Sequence, residues 1–182
     1  ERIERLITDY SQMLKDEASL SRAKMSKIDL AYVVNSVAED FNSDLLNSNK
    51  NIKINIDNSN LNGSKLYVLG VESKLEQIVA NLLENAISFS PSNSKIFVMC
   101  NVYKKNAQLV IEDQGPGFNE KNIDKVFERF YSNRPEKFGE HSGLGLNIVK
   151  YIVELHGGSI AASNHHGNKK GARIEVLLPI YK

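Results

Sequence analysis

The chain has 182 residues, of which 41% are hydrophobic and 25% are charged, and its formal net charge at pH 7 is +1. This length suits one well-buried domain with an appended element, and the small net charge excludes a strong field toward nucleic acid or anionic lipid. The single cysteine, Cys100, lies in the apolar run 96–100, so we expect a buried thiol and no internal disulfide. No apolar stretch reaches the ~20 residues of a membrane-spanning helix, so we expect no membrane contact by this chain.

The first predicted element is a long amphipathic helix over 3–25, in which apolar residues recur at spacings of three and four. Such a stripe indicates half of a helical hairpin or a dimer seam, and a surface helix docked on its own domain is the alternative. Because the chain begins at Glu1 without an initiator methionine, we expect it to be a piece of a longer protein. Asp29 is predicted to cap a second helix over 30–46, which a polar loop over 47–51 follows.

The middle of the chain begins with strict alternation over 52–56, which predicts a half-buried strand. A turn over 58–64 and a short strand near 66–69 precede a third helix over 72–89, which Pro91 stops. The later predicted elements are a hairpin of strands 95–103 and 108–113, a helical turn near 124–130, a helix over 143–156 ending at Gly157 and Gly158, and a hairpin of strands 159–163 and 172–178. Hairpins and helices without regular alternation indicate an α+β fold, with helices on one face of a mostly antiparallel sheet.

Two asparagines, Asn81 and Asn85, lie four residues apart on the third predicted helix, so both side chains leave the same face. Amide oxygens are hard ligands that suit Mg²⁺, an ion whose coordination substrate phosphates commonly complete. Local hydrogen bonding of the amides is the alternative interpretation. The pair therefore predicts part of a site for Mg²⁺ and a nucleoside triphosphate.

Asp113 ends a predicted strand with an apolar inner face and leads into the segment Gln-Gly-Pro-Gly at 114–117. A carboxylate at this edge can accept a hydrogen bond from the exocyclic amine of a base. Gly115 and Gly117 permit a close backbone approach that a Cβ would block. A plain type II turn is the alternative interpretation.

Glycines at 143–145 open the last predicted helix, where free N–H groups and the positive end of the helix dipole bind phosphate without side chains. A simple glycine-rich entry turn is the alternative. Residues 131–142 have the glycine, proline and charges of a mobile lid. The cations available there for phosphate oxygens are Arg129, Arg134 and Lys137.

Taken in order, four segments resemble the catalytic ATP-binding domain of bacterial two-component sensor histidine kinases, which has the GHKL or Bergerat fold. They are LEQIVANLLENAISFS at 75–90 for the asparagine box, DQGPGF at 113–118 for the first glycine box, VFERFYS at 126–132 for the phenylalanine box, and SGLGLNIVKYIVELHGG at 142–158 for the second glycine box. More weakly, residues 1–25 resemble the second helix of the dimerisation and phosphotransfer hairpin. The segment FYSNRPEKFGEHSGLGL at 130–146 is similar to the cell-envelope and acid-sensing kinases of alphaproteobacteria.

The resemblance implies a two-layer sandwich of helices on a mostly antiparallel mixed sheet, preceded by one long helix. It implies a partial dimerisation helix and linker at 1–27 and a catalytic domain at 28–182. Asn81 and Asn85 would bind Mg²⁺ and phosphate, and Asp113 would bind the adenine amine. The remaining implied ATP-binding residues are Gly115, Gly117, Phe118 and Tyr131 around adenine, and Gly143, Leu144, Gly145 and Leu146 around the phosphates.

Two serines depart from the pattern. Ser88 stands where many members carry Lys or Arg, and Ser132 stands where an Arg is common. Each change removes one charge-assisted contact of ~1.5–3 kcal/mol, for which Arg134 is our candidate replacement at the γ-phosphate. A domain that binds no nucleotide and acts only as a regulatory or dimerisation module is therefore one alternative function.

The acceptor histidine of the family, which an acidic residue follows, has no counterpart here. None of the four histidines, His141, His156, His165 and His166, has that context, so we do not expect autophosphorylation by this chain. The resemblance implies that a full-length, dimeric inner-membrane parent transfers the γ-phosphoryl group of Mg·ATP to a histidine in the cytoplasm, with a response regulator as its partner.

A related ATPase, or a serine kinase of the anti-sigma type, is the second alternative. The related ATPases place a glutamate base where this chain has Asn81, and an amide cannot take a proton from water. Glu84 lies on a different face of the predicted helix and is not a substitute.

Overall fold

The computed structural model describes residues 11, 24–46, 48–128, 145–165 and 170–182. Three helices occur within these ranges: α1 (Leu30–Leu45), α2 (Glu72–Phe89) and α3 (Gly145–Leu155). The strands are β1 (Ser26–Asp29), β2 (Lys53–Asp57), β3 (Tyr67–Gly70), β4 (Lys95–Tyr103), β5 (Asn106–Glu112), β6 (Ser159–Asn164) and β7 (Ala172–Pro179). Short 3₁₀ helices span Ser59–Leu61 and Glu120–Phe127. No helix in the described part of the chain is both long and apolar enough to cross a membrane.

The main sheet has five strands in the order β2-β4-β5-β7-β6. The β2–β4 pair is parallel, and the three other pairs are antiparallel. β1 and β3 pair separately as a small antiparallel sheet. The three helices pack side by side, α1 on α2 and α2 on α3, and together they cover one face of the main sheet. The predicted α+β class and its two layers are therefore confirmed for the described residues.

The core lies between the helices and the inner face of the sheet. Alternate residues of each strand point toward it, as the twofold period of a strand requires. Ile96, Val98 and Cys100 of β4 face the helices, and all three are fully buried. Burial raises the pKa of the Cys100 thiol to about 12. The predicted role of this cysteine as a buried core residue is thus confirmed.

At the start of the chain, one predicted helix lies mostly outside the described residues and one predicted helix cap is wrong. The predicted helix over 3–25 lies almost wholly outside the described residues, and Lys24 and Met25 at its end are not helical. Asp29 precedes α1 but forms no side-chain cap. Its Oδ1 instead accepts a hydrogen bond from the backbone N–H of Leu66 at 3.2 Å. The predicted cap is wrong because Asp29 ends β1, whose pairing with β3 brings that donor to its side chain.

A side-chain amide of α1 holds the outer edge of the main sheet. Asn42 Oδ1 accepts the N–H of Ile54 at 2.9 Å, and Asn42 Nδ2 donates to the carbonyl of Ile54 at 2.9 Å. Ile54 belongs to β2, an edge strand that pairs only with β4 within the described sheet. The amide thus binds both polar groups of one edge residue, as a neighbouring strand would.

The C-terminus of α2 is held by a lysine from the loop before β2. Lys50 Nζ donates to the carbonyls of Ile87 and Ser88, each at 3.2 Å. The last carbonyls of a helix lack partners within the helix and carry the negative end of its dipole. A charged ammonium there stabilises the end of the helix on which Asn81 and Asn85 lie.

We expect Lys50→Met to lower the free energy of unfolding by about 1 kcal/mol, and Tm by roughly 2–4 °C for a domain of this size. Thermal unfolding monitored by circular dichroism measures this change. Lys53→Met is the matched control, because Lys53 is exposed and its side chain forms no hydrogen bond or ion pair among the described residues. Equal Tm losses for the two variants would contradict a specific role of Lys50.

Candidate functional site

The candidate site is built around the end of β5, where the chain leaves the sheet at Asp113. The following segment turns toward the C-terminus of α2, since a Cβ on Gly115 would lie 2.7 Å from the carbonyl oxygen of Phe89. Farther along, Asn147 in the first turn of α3 donates to the carbonyl of Phe127 at 2.9 Å. The described structure thus joins the 113–118 segment to α2, and the start of α3 to the 3₁₀ helix Glu120–Phe127.

Asp113 is a buried carboxylate, with 6% of its surface exposed. Its Oδ1 accepts the N–H of Gly115 at 2.8 Å and the N–H of Ala172 at 3.1 Å. No group in the described ranges donates to its other carboxylate oxygen, Oδ2. Burial raises the pKa of Asp113 above its ordinary value, against the opposing effects of these two N–H groups and of His165 nearby. A desolvated carboxylate with one oxygen held and one available is suited to accept a hydrogen bond from a ligand.

The glycines after Asp113 meet two different requirements. A side chain on Gly115 would collide with the backbone of Phe89, so this position needs the close approach that the sequence predicts. Gly117 has φ +80°, a left-handed conformation that L side chains rarely adopt. Phe118, which follows, is half-buried and packs against the core. The segment therefore has a defined shape in the described structure.

The neighbouring carboxylate, Glu112, lies on the other side of the sheet. Alternation along β5 places Glu112 on the face away from the helices, because Ile111 is in the core. Glu112 forms an ion pair with Arg173 of β7, and Arg173 also contacts Glu175 at 3.2 Å. Glu112 and Asp113 are adjacent in sequence but lie on opposite faces of the sheet, and Asp113 is the one on the face of the helices. Glu112 Oε2 lies 4.0 Å from Nδ1 of His165, beyond the edge of that face.

The β6–β7 hairpin supplies site residues that the sequence analysis missed. Asn164 Oδ1 accepts the N–H of Phe118 at 2.6 Å, and Asn164 Nδ2 donates to the carbonyl of Phe118 at 2.8 Å. His165 Nε2 lies 3.1 Å from the carbonyl oxygen of Asp113. A Cβ on Gly171 would lie 2.0 Å from the same oxygen. These partners are about 50 residues from the segment they hold in place, so no local pattern in the sequence predicts the contacts.

Asn81 and Asn85 both lie on α2 and are half-buried. The Nδ2 atom of Asn81 is buried without a hydrogen-bond partner among the described residues. A buried unsatisfied amide costs about 1–3 kcal/mol, so its retention needs an explanation such as a bound ligand. An amide can turn either its oxygen to a cation or its N–H₂ to a phosphate. The donor set is therefore compatible with Mg²⁺ and phosphate.

Several of the predicted nucleotide-binding residues lie outside the described residues. They are Tyr131, Arg134, Gly143 and Leu144. The same is true of Ser132, Arg129 and Lys137. Gly145 and Leu146 are described and begin α3. A Cβ on Gly145 would meet no described atom within 4 Å, so packing within the described chain does not require this glycine.

The two described histidines have structural contacts. His156 is buried, with Nδ1 2.7 Å from the carbonyl of Ile152 and Nε2 accepting the N–H of Val71 at 3.2 Å. His156 thus contacts a carbonyl in the last turn of its own helix. Both of its ring nitrogens are occupied, and Nε2 of His165 contacts Asp113.

Comparison with known proteins identifies relatives of the whole chain. Residues 70–182 match the family model described as histidine kinase-, DNA gyrase B-, and HSP90-like ATPase. The chain is 37% identical to sensor protein ChvG of Rhizobium meliloti (strain 1021), over 98% of this chain and 32% of that protein. It is 38% identical to ChvG of Agrobacterium fabrum, over 98% of this chain and 31% of that protein. The chain thus spans about a third of the length of these curated relatives.

Two solved structures have the same fold as this chain. The structure of the mycobacterial sensor histidine kinase MprB superposes with a TM-score of 0.71 at 30% identity, covering 86% of this chain and 97% of that chain. A full-length ShkA structure superposes with a TM-score of 0.72 at 22% identity, over 87% of this chain and 31% of that chain.

Proposed function

Because this chain belongs to the family of histidine kinase-, DNA gyrase B-, and HSP90-like ATPases, we propose that it binds Mg·ATP as the catalytic domain of a sensor histidine kinase. The family and the fold that the four sequence segments predicted are thereby confirmed. ATP is the substrate that this family membership supports. The roles of individual residues and of Mg²⁺ are part of the proposal.

One observation carries the proposal: the buried carboxylate of Asp113 has one oxygen occupied by two backbone N–H groups and the other available. An amine hydrogen-bonded to an ionised carboxylate gains a charge-assisted contact. The 6-amino group of adenine provides such a donor. Gly115, Gly117 and Phe118 would shape the adenine pocket beside Asp113, and Tyr131 would line it.

The other end of the nucleotide would lie against α2 and the start of α3. Asn81 and Asn85 would hold Mg²⁺, which when bound neutralises charge on the phosphate oxygens. Gly143, Leu144, Gly145 and Leu146 would present backbone N–H groups to the phosphates. Arg134 would take the place of the missing cations at Ser88 and Ser132. The protein would act by positioning the γ-phosphate and stabilising its charge.

The identity of residue 81 favours transfer over hydrolysis. Asn81 has no basic group, and Glu84, the nearest carboxylate in sequence, is exposed on α2. A hydrolytic base must stand beside the attacking water, and Asn81, at the position where the related ATPases carry that base, has an amide that takes no proton. We therefore propose that the phosphoryl acceptor is a histidine outside this chain.

The longer parent is also part of the proposal. We assign 1–27 to a dimerisation helix and linker and 28–182 to the catalytic domain. The boundary between them falls within β1 (Ser26–Asp29). The parent would be an inner-membrane homodimer with this domain in the cytoplasm. Its phosphorylated histidine would serve a response regulator.

Titration with a non-hydrolysable ATP analogue tests the proposed function. We expect the 182-residue chain to bind the analogue with a Kd below roughly 1 mM, which corresponds to about 4 kcal/mol of binding free energy, and more tightly with Mg²⁺ than with EDTA. Isothermal titration calorimetry measures both constants. Absence of binding near millimolar concentration would favour a regulatory or dimerisation module. Hydrolysis of ATP over many turnovers per minute would favour a related ATPase.

A further inference from the structure

Both ends of the segment 113–118 are attached to one rung of the β6–β7 hairpin. Asn164 of β6 and Ala172 of β7 are direct partners in the antiparallel register. At the first end, the N–H of Asp113 donates to the carbonyl of Ala172 at 3.0 Å, and the N–H of Ala172 donates to Asp113 Oδ1 at 3.1 Å. This end of the segment is therefore held by backbone pairing and by the carboxylate together.

The other end is held by a side chain. The amide of Asn164 binds both the N–H and the carbonyl of Phe118, at 2.6 and 2.8 Å. This reproduces the pair of bonds that a neighbouring strand would give Phe118, although Phe118 lies in no strand. Because Asn164 and Ala172 face each other, a single rung determines how far apart Asp113 and Phe118 lie.

The conformation between the two ends leaves little freedom. Gly117 has φ +80°, and a Cβ there would lie 2.7 Å from Asn164 Oδ1. The amide therefore occupies the space that a side chain at 117 would need. A segment held at both ends and restricted in between keeps its shape without a ligand, and such preorganisation reduces the ordering cost of binding.

We propose that Asn164 is a positioning residue for recognition of the adenine base. It holds the backbone of Phe118 and so determines where the Phe118 side chain stands relative to the carboxylate of Asp113. Asn164 acts through Phe118 and does not itself contact the nucleotide. This inference rests on the proposed function, because it deepens the role assigned there to Asp113 and Phe118.

The test compares Asn164→Ala with Asn42→Ala, which removes the same two-bond amide contact from Ile54 on the distant edge strand. We measure Kd for a non-hydrolysable ATP analogue and for its guanine counterpart, together with Tm. For Asn164→Ala we expect about a tenfold weaker Kd for the adenine analogue and no change for the guanine analogue. The preference for adenine falls by the same factor. For Asn42→Ala we expect a comparable loss of Tm and unchanged Kd values.

Asn164→Asp carries the same test if the alanine variant does not fold. It keeps the acceptor for the N–H of Phe118 but replaces the donor to its carbonyl with a carboxylate oxygen that repels it, so the preference for adenine again falls. An unchanged preference in the folded Asn164 variant, with a Tm loss like that of Asn42→Ala, overturns the inference and leaves the proposed function intact. A wild-type chain that binds neither analogue, or both equally, overturns the proposed adenine site and this inference with it.

Discussion

We expect Asp113→Asn to weaken binding of an ATP analogue by about a hundredfold while the affinity for inorganic tripolyphosphate stays unchanged. Asparagine keeps an oxygen for the N–H groups of Gly115 and Ala172, which Asp113 Oδ1 binds in the wild type. It replaces the available carboxylate oxygen with an N–H₂ group, which would face the amine of adenine in the proposed site. Loss of a charge-assisted hydrogen bond worth about 1.5–3 kcal/mol corresponds to roughly 10–150-fold in Kd. Competition titrations with both ligands measure the two constants.

Glu112→Gln is the matched control for this variant. It makes the same chemical change one residue earlier, on the face of the sheet where Glu112 pairs with Arg173. We expect its Kd for the ATP analogue to equal the wild-type value. Equal losses of analogue and tripolyphosphate affinity in Asp113→Asn would refute the assigned role of Asp113, because they would indicate general damage to the site.

The raised pKa of Asp113 sets the direction of two pH effects. Burial is its main cause, so the ionised carboxylate is less favourable in the folded chain than in the unfolded chain. The contribution of Asp113 to stability is therefore greatest below the unfolded pKa and falls as pH rises through the folded pKa. If Asp113 binds adenine as proposed, we expect the affinity for adenine to change the other way and to fall on acidification through the raised pKa of Asp113. Asp113→Asn removes both dependences, and we expect its Tm at neutral pH to stay within a few degrees of the wild type.

Elements whose signals are local were predictable from the sequence. The predicted bounds of α2 and β4 agree with the structure, since Pro91 stops the helix and alternation marks the strand. β5 begins two residues earlier than predicted, because the chain reverses tightly at Lys104, where φ is +56°. The sequence also predicted correctly that Asp113 lies where a strand ends and a glycine-rich turn begins.

Features that depend on distant pairing were not predictable. β1 has only four residues, and it forms because β3 pairs with it about forty residues later. The same pairing gives Asp29 a backbone donor from Leu66 in place of a helix cap. Asn164 reads as part of a polar turn, and only the fold places it beside Phe118. In each case the hydrogen-bond partner of a polar group is distant in sequence and is brought near by the tertiary structure. A local sequence pattern does not reveal such a partner.

Asn81→Ala is expected to abolish most of the strengthening of ATP-analogue binding by Mg²⁺. Removing an outer-shell partner of a metal typically costs 10–100-fold in affinity, and a direct ligand should cost at least as much. We therefore expect the Kd with Mg²⁺ to weaken on the order of a hundredfold and to approach the Kd measured in EDTA. Calorimetric titration in the two buffers measures the difference. Glu84→Ala, a change at an exposed position of the same helix, should keep the wild-type response to Mg²⁺.

Stability of the same variant separates a ligand role from a structural one. Asn81 Nδ2 is buried and forms no hydrogen bond within the described part of the chain. Replacing Asn81 with alanine removes a desolvation cost of about 1–3 kcal/mol. The lost packing of a half-buried side chain offsets part of this gain in stability. We expect the Tm of Asn81→Ala to equal or exceed that of the wild type. A clear fall in Tm with an unchanged response to Mg²⁺ would contradict the role of Asn81 as a ligand. A higher Tm together with a lost response would mean that α2 retains this amide for the nucleotide at the expense of its own stability.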